Sequence, residues 1–237
     1  MAANFPAFER ELVASGERGV GYRVLAGRES LTLDRLHEPT GQSRITIAPV
    51  ISGAGGNIAV SSGNDGVFLV DSGAAAATPK VLDAIQQITN QLRPPDHPEG
   101  AVAAGDFWQA THAYRPATIR MIINTNLNPD HTGGNANVRD SKFFHGIGVE
   151  GEDELASEVI LAHELVQRRM LENGSPERSV PSNTFFSLRQ DLHRYMNGSA
   201  VQIYHTPDAI TDGDSFVWFR RADVIAAGDL YNSDIYP

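Results

Sequence analysis

The residues best placed to do chemistry sit in two short stretches, each directly behind an apolar run. The first is Asn124 to Asn135, which holds Asn126, Asn128, Asp130 and His131 and closes on Thr132-Gly133-Gly134-Asn135; the second is Gly228-Asp229, behind Val224 to Ala227. Carboxylates and imidazoles hold divalent ions and move protons, and the ends of buried strands are where such groups converge on a cleft. On residue types alone two readings of Asp130-His131 stay open. One is a pocket position, favoured by the buried strand in front and the glycines behind; the other is an Asx-type turn with a capping histidine. Asp229 likewise reads as a pocket carboxylate or as the cap of the next turn. His163-Glu164, at a strand-to-helix junction, reads as structural, and His205, just before Thr206-Pro207, as a strand-end surface histidine; His97, His112 and His145 fall in no pattern.

These groups need elements to carry them, and the chain supplies strands of the right kind. Ile45, Ile47 and Val50 start a strand-like pattern, the glycines from Gly53 to Gly56 form a tight turn, and Ile58 to Ser61 continues. Asn64-Asp65-Gly66 is strong turn chemistry and predicts a hairpin into Val67-Phe68-Leu69-Val70, a run suited to a strand buried on both faces. Val81, Leu82, Ile85, Ile88 and Leu92 recur at helical spacing over Pro79 to Leu92, which predicts an amphipathic helix with proline near its start. Arg93 to Pro116 reads as a long loop. Buried strands are expected at Ile119 to Asn124 and Val159 to Ala162, a helix over His163 to Leu171 closed by Asn173-Gly174, a connector over Arg178 to Phe186, and further strands at Val201 to Tyr204, Phe216 to Phe219 and Val224 to Ala227. Near the N-terminus, Phe5, Phe8 and Leu12 have helical spacing over Asn4 to Val13, and Leu31, Leu33 and Leu36 form a second apolar group.

Composition removes whole classes of function. With 41% hydrophobic and 20% charged residues in 237, the chain has the profile of a globular α/β protein. The formal net charge of −10 repels polyanions, and Arg168-Arg169 and Arg220-Arg221 are its densest basic spots, so no nucleic-acid partner is expected. The longest apolar stretches are strand-sized, far below the roughly 20 residues of a bilayer span, so no membrane association is expected either. The absence of cysteine removes disulfides, thiolate nucleophiles and thiolate metal ligands. Met1 to Arg18 lacks the apolar core of a secretory signal, and cytoplasmic localisation is the default expectation. The Gly53 to Gly56 run precedes a second strand instead of opening a helix, which rejects a dinucleotide-binding loop.

Four segments taken together resemble the metallo-β-lactamase fold superfamily: Gly55-Gly56-Asn57 with Val67 to Gly73, Asn124 to Asn135, Ala162-His163-Glu164, and Asp208 to Gly228-Asp229. The resemblance runs from Ile45 to Tyr236. It implies an α/β (α+β) architecture, an αββα sandwich of two mixed β-sheets with flanking helices and a metal site at one edge, made by a domain over 45–237 that follows an N-terminal extension over 1–44. In active relatives the first loop reads His-x-His-x-Asp-His, a later imidazole joins it, and a Gly-Asp aspartate bridges two zinc ions whose shared water attacks the substrate. Here that loop reads Asn126-x-Asn128-x-Asp130-His131, and Ile210 stands where the resemblance places another histidine. An amide oxygen is a poor zinc ligand beside imidazole and isoleucine is none, so the first metal site is expected to be dismantled.

The second site keeps Asp130, His131 and Asp229, which imply one weakly held divalent ion: zinc, or manganese, iron or magnesium given the oxygen-rich set. The resemblance also implies a further histidine, a last strand and a last helix after Asp229, which the sequence up to Pro237 is expected to lack. A longer parent chain, a second copy in a homo-oligomer, or Met1 to Arg44 folding back are the three expected covers for that gap. Two functions follow from the resemblance. One is mononuclear, metal-dependent hydrolysis of a small ester, lactone, thioester or amide with Asp130 as residual base. The other is a catalytically inactive relative that binds a small ligand or a partner in the former cleft, with Asn126, Asn128 and Ile210 lining it. A truncated reading frame without independent function is the third reading.

Overall fold

In the computed structural model the chain is described over residues 11–13, 21–23, 44–48, 56–63, 66–92, 118–144, 159–192, 197, 199–220 and 224–231. The proposed glycine turn at Gly53 to Gly55, the Asn64-Asp65 tip, the Leu31 to Leu36 group, the Arg93 to Pro116 loop, and His97, His112 and His145 lie outside the described residues. So do the first seven residues of the Asn4 to Val13 segment. Its last three form a strand and not the helix that the spacing predicts: β1 (Glu11–Val13) pairs antiparallel with β2 (Gly21–Arg23).

Six strands form the larger sheet, in the order β3 (Arg44–Ala48), β4 (Ile58–Gly63), β5 (Gly66–Val70), β6 (Ile119–Ile123), β7 (Val159–His163) and β8 (Asn183–Phe185). The first three are antiparallel, and from β5 onwards each strand runs parallel to the next. The parallel half puts the carboxyl ends of β5, β6, β7 and β8 along a single edge, where ligands collect in such sheets. Four further strands, β9 (Arg189–Asp191), β10 (Val201–His205), β11 (Ser215–Phe219) and β12 (Val224–Ala226), form a second sheet that is antiparallel throughout its described residues.

Alternation along the strands sorts side chains to two cores. Phe68, Val70, Met121, Ile123, Val159 and Leu161 face Val201, Ile203, Val217 and Phe219 of the second sheet, while Val67, Leu69, Ile122 and Ile160 face Ala77, Val81 and Ile85. Both faces of the larger sheet are thereby buried, which is why its central strands read as unbroken apolar runs. A register shift between Val67/Ile119 and Phe68/Met121 makes Arg120 the extra residue, and this single insertion lets Ile119 and Ile122 share one face three positions apart.

The helical layer covers that outer face. Its members are α1 (Thr78–Leu92), α2 (Pro129–Thr132), α3 (Asn135–Arg139) and α4 (Glu164–Glu172), with Val138 of α3 joining the Val81 and Ile85 core and Val166 and Met170 of α4 packing on Ala162 of β7. This is the αββα sandwich that the resemblance implies. Helix α4 ends at Asn173, and Gly174 adopts the left-handed φ of 72° that a helix stop asks for. The Arg178 to Phe186 connector turns out to contain a 3-10 turn, Glu177–Ser179, and the edge strand β8. Among the described residues no helix is long and apolar enough to cross a membrane.

Candidate metal centre

The site is built on the carboxyl ends of β5 and β6. Behind β5 the backbone turns at Asp71, whose φ of 65° aims its carboxylate back across the sheet, while its N–H donates to the Ile123 carbonyl at 2.8 Å. Oδ1 of Asp71 accepts the Thr125 N–H at 2.8 Å, and Oδ2 accepts the Thr125 hydroxyl at 2.7 Å. The same Oδ2 lies 2.7 Å from Nδ1 of His131. Asp71 is 1% exposed, so this carboxylate is a buried anion whose bonds run to one loop and one imidazole.

The loop from Asn124 to Asn135 is held in place from beneath. Asn135 Nδ2 donates to Asn124 Oδ1 and to the Ser179 carbonyl, both at 2.8 Å, and its Oδ1 accepts the Ser72 hydroxyl at 2.8 Å. Gly134 passes so close to the Ser72 carbonyl that no Cβ fits, which explains the glycine pair. Proline at the first position of α2 starts that helical turn, and His131 N–H bonds the Asn128 carbonyl at 2.9 Å. An asparagine at a helix start ordinarily caps it with its own side chain. Asn128 makes no such cap, because its amide is used elsewhere.

That use is on Asp229, 101 residues later in the chain and carried by the 3-10 turn Gly228–Leu230 behind β12. Asn126 Nδ2 and Asn128 Nδ2 both donate to Asp229 Oδ2, at 2.9 and 2.8 Å. Oδ1 of Asn126 accepts the Asn128 N–H at 2.8 Å, which fixes the Asn126 amide with its nitrogen towards Asp229. The other carboxylate oxygen of Asp229, Oδ1, lies 2.9 Å from His131 Nε2, and Asp130 Oδ2 lies 3.8 Å from the same nitrogen. His131 is thus clamped between Asp71 on one side and Asp229 with Asp130 on the other. Burial by itself would push its imidazole down; the hydrogen bond and charge of Asp71 and the charges of Asp229 and Asp130 outweigh that, and His131 is pushed up to about 9.

Asp130, His131 and Asp229 offer one ligand atom each within 4.8 Å of one another, a nitrogen and two oxygens that can hold one metal ion. Side-chain exposure of 43% at Asp130 and 30% at Asp229, against 3% at His131, leaves the cluster open to solvent on the carboxylate side. The donor set of a first metal does not fit: amide N–H groups point at Asp229 from both asparagines and present no lone pair there. Ile210, 57% exposed, lies in the turn between β10 and β11 and makes no hydrogen bond to the cluster. Asp71 and Thr125 are the site residues that the sequence reading did not single out. Their one signal was position, since both sit at the end of a buried apolar strand.

The two remaining histidines of this edge are tied into the framework. His163 caps α4 by accepting the Leu165 N–H at 3.4 Å, and its ring stacks on His205 with centroids 3.6 Å apart and planes 8° from parallel. His205 donates through Nδ1 to the Asp214 carbonyl at 3.0 Å. Burial, together with the neighbouring His205, holds the His163 imidazole below its ordinary value.

The family model described as the metallo-beta-lactamase superfamily matches residues 53–234. The apo chemotaxis sensor ODP from T. denticola superposes with a TM-score of 0.52 at 13% identity, covering 83% of this chain and 62% of that one. DIM-1 metallo-beta-lactamase gives 0.49 at 12% identity, covering 84% and 69%. A mutant flavo di-iron protein from Thermotoga maritima gives 0.48 at 12%, covering 80% and 40%. The chain thus spans less than two thirds of the length of the sensor and of the flavo di-iron protein, and at these identities the likeness is one of fold. Among curated proteins no match is found.

Proposed function

Because the chain belongs to the metallo-beta-lactamase superfamily, we propose that it is a hydrolase-like member with a mononuclear centre, acting weakly on a small ester, lactone, thioester or amide. The observation that carries this reading is the convergence of Asp130, His131 and Asp229 within 4.8 Å. One divalent ion held by these three, zinc or an oxygen-preferring manganese, iron or magnesium, would supply Lewis acidity towards a carbonyl and acidify a water molecule. The remaining work falls to the chain's own groups. Asp71 fixes the Nδ1 proton of His131, which leaves Nε2 to face the ligand position. Asn126 and Asn128 hold Asp229 by one oxygen and leave its Oδ1 towards His131. Asp130, the most exposed carboxylate of the three, takes the proton of the attacking water as general base.

The test is metal analysis of purified protein combined with turnover of ester, lactone and lactam substrates with and without chelator. One ion per chain and chelator-sensitive turnover that disappears in Asp130→Ala are expected. Protein that takes up no metal and shows no Asp130-dependent activity overturns the proposal. A second reading, a catalytically inactive relative that binds a small ligand in the same cleft, draws on the full engagement of Asp229, with Oδ1 on His131 and Oδ2 on two amides. Tight ligand binding that is indifferent to chelator and comes without turnover selects it over the first.

A further inference from the structure

One imidazole outside the metal-binding set is built for a single protonation state. His163 ends β7 and is 3% exposed. Its Nδ1 accepts the Leu165 N–H at 3.4 Å as the cap of α4, so that nitrogen holds a lone pair and the ring proton is on Nε2. Among the described residues Nε2 makes no hydrogen bond of normal geometry, and a backbone group of Phe186 lends it only weak support. The other neighbours are rings. Phe185 of β8 stands edge-on at 5.1 Å between centroids, and His205 of β10 lies face to face at 3.6 Å.

Because β7 and β8 belong to the larger sheet and β10 to the second, this stack is a contact between the two sheets. His205 is anchored on its own side: Nδ1–H donates to the Asp214 carbonyl and the backbone N–H to the Leu188 carbonyl, both at 3.0 Å.

A second proton on His163 conflicts with each of these contacts. An imidazolium donates from both nitrogens, so Nδ1 can no longer accept from Leu165 and the first turn of α4 loses its cap. The charge then sits at a helix N-terminus, where the dipole favours anions. It is also buried against an apolar ring and a second imidazole. The titratable groups that face His163 are Glu164 of α4, His205 of β10 and Asp212 of the β10–β11 turn, and Asp212 is engaged by Arg169 of α4 at 2.7 Å; β8 carries none. Burial first, and then His205, hold the His163 imidazole below its ordinary value against the pull of the two carboxylates.

We propose that His163 is an acid-sensitive latch between the two sheets: on taking up a proton it gives up the cap of α4 and its place on His205, and β7 and β8 loosen from β10. The latch is independent of any hydrolysis at Asp130, His131 and Asp229. Its sign follows from linkage. The folded value lies below the unfolded one, so the contribution of His163 is whole above a pH of about 6.5 and is lost as pH falls below it. Two other buried groups act in the opposite sense: burial raises the Asp214 carboxyl, and His131 is pushed up to about 9, so proton uptake at either favours the folded chain.

The test is the melting temperature of the full chain at pH 7.5 and 5.5, with chelator present, for the wild type and for His163→Asn, whose uncharged side chain also caps helices. The variant should melt lower at pH 7.5, having lost the stack, but on acidification the wild type should lose about 2 to 4 °C more than the variant. Amide hydrogen exchange reads the latch in the wild-type protein and needs no variant. Corrected for the intrinsic rate, protection of Leu165 and the first turn of α4 should fall about tenfold further between pH 7.5 and 5.5 than that of Ile122 in β6. The same pH dependence of melting in wild type and His163→Asn, or protection at Leu165 that falls no further than at Ile122, overturns the inference.

Discussion

Replacing Asp71 by asparagine removes one buried negative charge beneath His131 and leaves the backbone undisturbed, because asparagine is among the few side chains at ease at the φ of 65° found there. In the metal-free protein, lifting a histidine from 6.5 to about 9 corresponds to roughly 3 kcal/mol of native-state stability. The native value lies above the unfolded one, so this contribution is complete below a pH of about 6.5 and is lost as pH rises through about 9. Asp71 supplies the largest favourable share, through the 2.7 Å bond as well as its charge. Asp71→Asn should therefore cost about 2 to 3 kcal/mol at pH 6. At pH 10 the cost should fall to about 1 kcal/mol, the residue of the weakened Thr125 bonds. The assay is urea unfolding across that range in the presence of chelator. An equal cost at both pH values, or a cost under about 1 kcal/mol at pH 6, refutes the argument that an Asp71–His131 ion pair holds the two loops together. The variant also frees His131 to take the opposite tautomer, so zinc affinity should drop about 10- to 100-fold.

Other perturbations follow from the same geometry. In Gly228→Ala the new Cβ would collide with the Thr125 hydroxyl at a φ of 55° that alanine resists; calorimetric melting should show a loss of about 2 kcal/mol or more, and metal titration a weaker site, because Asp229 is displaced. Asn126→Ala leaves Asp229 Oδ2 one donor short and removes the acceptor of the partly buried Asn128 N–H, which should cost about 1 to 2 kcal/mol by urea unfolding. An unchanged midpoint would mean that the amide clamp contributes nothing.

Much of the architecture was legible from the chain because burial on both faces writes itself as unbroken apolar runs. Val67 to Val70, Ile119 to Ile123 and Val159 to Leu161 could only be central strands, and the period of Val81, Leu82 and Ile85 could only be a helix lying on them. Strands with little to bury left no such trace. Asn183 and Thr184 of β8 are exposed, as are Arg189 and Asp191 of β9; β8 was hidden in an apparent connector, and β9 lies in a stretch to which the sequence assigned no element. Of the two readings open for Asp130-His131, a pocket position and an Asx-type turn, residue types could not choose; the two residues lie in the short helix α2 that Pro129 starts.

That asparagines stand at 126 and 128 is a covalent fact, plain before any folding. What those asparagines do was decided by tertiary structure, because the direction of an amide depends on its partners, and Asp229 comes to them across about a hundred residues of chain. Asp71 belongs to the same class: 60 residues before His131, it reads as a strand terminator until β5 and β6 lie side by side and bring the two within 2.7 Å. Periodicity along a chain reports which face is buried; it does not report which strand ends meet, and the site exists only where they do.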